Sequence, residues 1–133
     1  MSEENIERIR SSILGFNDRG VDALLENLAP DVEYHPPKES FEPGTYRGPD
    51  GVRTYWERIG ETFEERRVES VDMIEVDDTR AIAVVKGFVK TPHFEGEVEM
   101  NWAWLFTMHD GLVTHVVGFT DRAQALEAAG LRE

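Results

Sequence analysis

Residues 97–119, EVEMNWAWLFTMHDGLVTHVVGF, hold two strand-like runs around an Asp-Gly pair, and this stretch decides the fold. β-Branched and aromatic types dominate 97–108 and 112–119, the composition of strands. Asp110-Gly111 between them reads as a tight hairpin turn, because its glycine tolerates positive φ. Alternation sorts the side chains into faces. Val98, Met100, Trp102, Trp104, Phe106 and Met108 share one face, with Glu97, Glu99, Asn101 and Thr107 on the other. In the returning strand His115, Val117 and Phe119 lie together, and the same parity carries Asp121 to their side.

Upstream, residues 68–76 and 80–90 read as two further strands joined by the turn Asp77-Asp78-Thr79. Ile82, Val84, Lys86 and Phe88 share one face of the second and are expected to look inward. Ala81, Ala83, Val85, Gly87 and Val89 then form an outer apolar strip. A monomer should not expose such a strip, so a homodimer through the convex sheet face is expected.

The first half of the chain changes period. Ile6, Ile9, Ile13 and Phe16 recur at helical spacing, and Asn17-Asp18-Arg19-Gly20 ends that helix. A short second helix is expected to turn Leu24, Leu25 and Leu28 inward, with Pro30 stopping it. Val32–His35 reads as a strand closed by Pro36-Pro37, and 38–48 as a loop over a rim. Pro49 opens a third helix with the stripe Val52, Tyr55, Trp56, Ile59 and Phe63. Asp121 to Leu131 reads as a short C-terminal helix. The order implies an α+β domain over 1–133: a cone-shaped, curved, mostly antiparallel sheet packed against three N-terminal helices. A curled sheet with helices at one mouth leaves a conical cavity.

The totals agree with one small soluble domain. The chain has 133 residues, 40% hydrophobic and 31% charged, which suits one globular core. It has no cysteine, so disulfides and thiolate chemistry are excluded. A net charge of −13 repels phosphate backbones and anionic lipids, so neither nucleic acid nor a membrane is an expected partner. The acidic start has no signal-peptide pattern and no apolar run spans a bilayer, so a cytoplasmic location is expected. The four histidines lack close ligand spacing, so a metal site is not expected.

Lys86 and His115 on an apolar face either pair, reach solvent or do chemistry, since burying a lone charge is costly. Each polar candidate also has a plain structural reading. Lys86 can snorkel to an edge, His115 can be a hydrogen-bonded core residue, and Asp121 can cap the last helix. His35 can simply end its strand. Trp56, Trp102 and Trp104 suit either a filled core or the wall of an open pocket.

FNDRGVDALL at 16–25 and LAPDVEYH at 28–35 resemble the opening of SnoaL-like proteins. These are relatives of polyketide cyclases and ketosteroid isomerase within the nuclear transport factor 2 (cystatin-like) fold. YRGPDGV at 46–52 resembles their third-helix entry, and DGLV at 110–113 with DRAQALEAAGL at 121–131 their last hairpin and tail. The resemblance implies the cone-shaped fold and a pocket, on a scaffold that hosts enzymes and binders alike. An ungapped placement of the ketosteroid isomerase triad puts its base on His35, its tyrosine on Ser12 and its second acid on Trp104. None of the three is retained. The acid/base aspartate of SnoaL-like cyclases falls on Asp121, and Lys86, His115 and Trp56 fall on pocket positions.

The resemblance implies a cofactor-independent isomerase- or cyclase-type enzyme acting on an apolar, carbonyl-containing ring compound. Asp121 or His35 would move a proton, with His115 or Lys86 stabilising the enolate. Phe16, Tyr34, Trp56, Phe88, Trp102, Trp104, Val117 and Phe119 would hold the ring skeleton. A non-catalytic carrier and an association module are the alternatives from other classes.

Overall fold

Ser2 starts the first helix by accepting the Asn5 backbone N–H on its Oγ at 3.1 Å. Helix α1 (Glu3–Leu14) then turns Ile9 and Ile13 into the core, each 2% exposed. The structure is a computed structural model and describes residues 1–40, 42–63, 65–93 and 95–131. The apolar stripe that runs on to Phe16 is divided at Gly15, after which α2 (Phe16–Arg19) makes one turn. The expected second helix is likewise a single turn, α3 (Val21–Leu24).

Leu28 belongs to a strand rather than that helix: β1 spans Leu28–His35. Pro30 has no N–H for a ladder, and it sits where the register with the neighbouring strand slips, between Leu28 and Glu33. After β2 (Tyr46–Arg47), helix α4 (Gly48–Thr62) begins with Pro49 in its first turn, where the missing N–H costs nothing. The meander follows as β3 (Glu65–Glu75), β4 (Arg80–Lys90), β5 (Val98–His109) and β6 (Leu112–Phe119), closed by α5 (Arg122–Ala128). Asp110 (φ 53°) and Gly111 (φ 79°) are both left-handed, as a two-residue hairpin turn requires.

The six strands form one sheet in the order β2-β1-β6-β5-β4-β3. Among the described residues β1 and β6 run parallel and the other neighbouring strands are antiparallel. The concave face carries the main core, where Ile9 and Ile13 of α1 and Val52, Tyr55 and Ile59 of α4 meet the inner strand residues. On the convex face Ala125 and Leu126 of α5, with its C-cap Ala129, lie over Ile82, Ala103 and Leu105.

This packing reverses the expected faces of β4. Ala81 and Ala83 are fully buried and Val85 is 1% exposed, all on the concave side. Across the ladder Val85 pairs with Trp102 and Ala83 with Trp104, so the small-residue strip lies beside the tryptophans. It is therefore not an outer dimer strip. Ile82, Val84, Lys86 and Phe88 take the convex side. Alternation shows which residues share a face but not which face is inside, and β4 is apolar on both because helices cover both. Ala83→Leu should accordingly lose about 1–3 kcal/mol of unfolding free energy through overpacking. Urea denaturation checks this; a change within about 0.5 kcal/mol, as at an exposed site, would return the strip to the surface.

Candidate functional site

The concave face is lined by large rings because the strand beside them is made of small residues. A Cβ at Gly87 would lie 2.6 Å from the Arg67 carbonyl oxygen and 3.0 Å from Trp102 Cζ3, so only glycine lets that indole lie over β4. Trp102 and Trp104 stack at 6.2 Å with an 18° tilt. Trp56 from α4 meets Trp104 edge-on at 5.8 Å. Tyr55 packs against Trp56 at 5.1 Å and against Tyr34 at 4.8 Å. Such offset and edge-to-face pairs add modestly to the area each ring buries. Tyr34 and Trp104 are buried, at 3% and 6% exposure, whereas Trp56 and Trp102 remain part-exposed.

The rings do not fill the cone. They surround a cavity of about 490 Å³, which Ile13, Phe16, Ile59, Phe63 and Val89 also line. That size suits one small molecule, and apolar walls with a few fixed polar groups are the usual form of a ligand site.

The polar groups at the wall are mostly neutral. Trp104 Nε1 donates to the Tyr34 hydroxyl at 3.2 Å, and the hydroxyls of Tyr55 and Ser40 are bonded at 3.2 Å. Burial pushes the Tyr34 phenol well above its ordinary pKa, and burial also raises that of Tyr55. Both stay protonated at neutral pH and can donate or accept a hydrogen bond without carrying charge. No histidine or aspartate is among the described residues that line the cavity. Glu39 and Glu99 are at its wall but exposed. Arg66 is the half-buried charged group there; its Nη1 donates to the Trp56 carbonyl at 3.2 Å and burial lowers its pKa.

Of the residues nominated from sequence, Phe16, Tyr34, Trp56, Trp102 and Trp104 line this cavity together. The other seven lie elsewhere. Lys86 is on the convex face between Glu99 at 3.3 Å and Glu69 at 3.5 Å, carboxylates that raise its pKa. Phe88, also convex, lies under the Arg67 guanidinium at 4.6 Å. Phe119 packs with the α5 cluster, and Val117 pairs with Leu105 on the same side. His35 and His115 flank Glu33 on the convex face, each 3.7 Å from its carboxylate. Asp121 is exposed and caps α5, accepting the Gln124 N–H at 2.8 Å.

The physical reason is shared. β6 pairs with β5 so that Gly118 and Val116 stand beside Trp104 and Phe106, which sends His115, Val117 and Phe119 outward. His35 pairs with Val117 and follows it. Among the described residues no group of three or more histidines and carboxylates could hold a metal ion, and no helix is long and apolar enough to cross a membrane.

Tyr55, Ser40 and Arg66 were not singled out from sequence. Tyr55 stood in the α4 stripe and could have been found there. Arg66 carried no pattern, because a register shift between Val68 and Ser70 breaks the parity of β3.

The family model described as SnoaL-like domain matches residues 9–116. No curated protein matches the chain. Among solved structures, the chain is similar to TerC co-crystallized with polyporic acid, with 24% identity and a TM-score of 0.76 over 95% of this chain and 98% of that one. A nuclear transport factor 2-like protein of unknown function from Burkholderia pseudomallei gives 22% and 0.78 over 96% and 97%. A Jannaschia protein assigned to the SnoaL-like polyketide cyclases gives 20% and 0.67 over 95% and 88%. These likenesses establish the nuclear transport factor 2-like fold.

The buried phenols set an upper pH limit on stability. A group with a folded pKa above its unfolded value contributes stability that is complete below the unfolded pKa and is lost as pH rises through the folded one. Unfolding free energy should therefore fall above about pH 10, the ordinary tyrosine value. In the native protein Tyr34 and Tyr55 should resist ionisation there by ultraviolet titration. Three tyrosines all ionising together near pH 10 would contradict the burial.

Proposed function

The chain belongs to the SnoaL-like domain family, and from that premise we propose that it binds one small, ring-containing, largely apolar molecule in the concave cavity. The observation that carries this reading is the box of Tyr34, Tyr55, Trp56, Trp102 and Trp104 around an open volume of about 490 Å³. Flat rings offer a ligand area at little conformational cost, and the Tyr55–Ser40 hydroxyl pair offers a hydrogen bond to a carbonyl oxygen. TerC, which shares the fold, was co-crystallized with polyporic acid, in keeping with a small-molecule role.

Proton transfer on the bound compound, as in the cyclase- and isomerase-type relatives, is the second reading. The residues first nominated for it, Asp121, His35, His115 and Lys86, are not at the cavity wall. It would run through Glu39, a carboxylate on that wall near the Ser40–Tyr55 hydroxyls, taking a proton alpha to the carbonyl while Tyr55 donates to the enolate oxygen.

Calorimetric titration with 2-acetylnaphthalene separates these readings. Wild-type protein should bind it, and Trp56→Ala should weaken binding by about five- to tenfold. His115→Gln and Asp121→Asn should leave the affinity unchanged. Deuterium exchange of the ligand's methyl group should not accelerate; acceleration that Glu39→Gln removes would favour the catalytic reading. Equal weakening by the convex-face variants, or no binding at all, would reject the cavity.

A further inference from the structure

Arg66 differs from eight other arginines of this acidic chain. Arg8, Arg10, Arg19, Arg47, Arg53, Arg58, Arg67 and Arg80 each lie 2.7–3.7 Å from a carboxylate. Arg66 has no carboxylate partner among the described residues, although the chain carries 27 acidic residues against 14 basic ones. It is also half-buried, where a lone charge is costly.

Its guanidinium is nonetheless held in place. Nη1 donates to the Trp56 carbonyl at 3.2 Å, and Cζ lies 5.0 Å over the Phe16 ring. Nη2 rests against α4 at Gly60, where an added Cβ would stand 3.0 Å from it. Phe16 and Trp56 are themselves walls of the cavity. A guanidinium has five N–H donors in a planar fork, and the Trp56 carbonyl engages one of them in this geometry. A fixed fork at an aromatic wall, with no ion-paired carboxylate among the described residues, can receive an oxyanion from outside.

We propose that the cavity selects ring compounds bearing an anionic oxygen group, a carboxylate or an ionised enol, with Arg66 as the counter-ion. This rests on the small-molecule reading above and narrows its ligand class. The chain's net charge of −13 works against anions at long range. A preference for the anion therefore has to come from local contact inside the cavity.

The test compares two ligands of nearly equal shape, 2-naphthoate and neutral 2-acetylnaphthalene, by calorimetric titration at neutral pH. Wild-type protein should bind naphthoate about ten- to a hundredfold more tightly, the usual effect of a charge-assisted hydrogen bond. Arg66→Met should remove that ratio while keeping affinity for the ketone, and Arg66→Lys should restore part of it. Gly60→Ala supplies a variant that leaves Arg66 itself intact. Helical alanine is favoured over glycine, so its melting temperature should hold or rise. The added methyl displaces Nη2 and should cut the naphthoate preference severalfold. Ketone binding without naphthoate preference, or a preference unchanged in Arg66→Met, overturns the anion proposal and leaves the cavity reading standing. Binding of neither ligand overturns both.

Discussion

Everything at the site depends on two indoles lying over a strand of small residues. Trp102 and Trp104 occupy the concave face because Gly87, Val85 and Ala83 beside them take up little room. Close packing allows few alternatives: a larger side chain at any of these positions would push a ring into the cone or out of the sheet. With the indoles fixed, Trp56 and Tyr55 of α4 complete the box by edge-to-face contacts, and the cavity is what the rings leave between them. The same stacking carries polarity inward, since Trp104 Nε1 donates to the Tyr34 hydroxyl.

The two faces of the sheet divide the chemistry. The concave side holds neutral hydroxyls, an indole N–H and the half-buried Arg66 guanidinium, with Glu39, Arg67 and Glu99 exposed at the cavity wall. The convex side holds the titratable clusters: Glu33 with His35, His115 and Arg47, and Lys86 with Glu69 and Glu99. These pairs are solvated, where an ion pair contributes little stability. Histidines at a strand end and lysine on an apolar-looking strand are common enough without a catalytic role. Here each has an ordinary partner on the outer surface.

Much of the fold was legible in the sequence. The Asp110-Gly111 turn, the α4 stripe and the strand composition after Arg67 each lead to an observed element. Five of the twelve nominated site residues line the cavity. The faces of β4 and β6 were not legible, because period-two alternation is symmetric about the sheet plane. Apolarity could not break that symmetry: Ile82 under α5 is as buried as Ala81 and Ala83 on the other side. Leu28 was misread because Pro30 suggested a helix stop, whereas it occupies the irregular part of a strand. Arg66 stayed hidden for a different reason. Its surroundings join Phe16, from the opening helices, to Trp56 and Gly60 of the preceding helix, and a register shift interrupts β3 just beyond it.

Ligands should enter the aromatic cone and leave the convex face untouched. The indole N–H signals of the three tryptophans and the ring signals of the four histidines report the two sides in one NMR titration with 2-naphthoate. Saturable shifts are expected at Trp56, Trp102 and Trp104 while His35 and His115 stay fixed. Indole signals that do not move, with shifts confined to the two histidines, would contradict it.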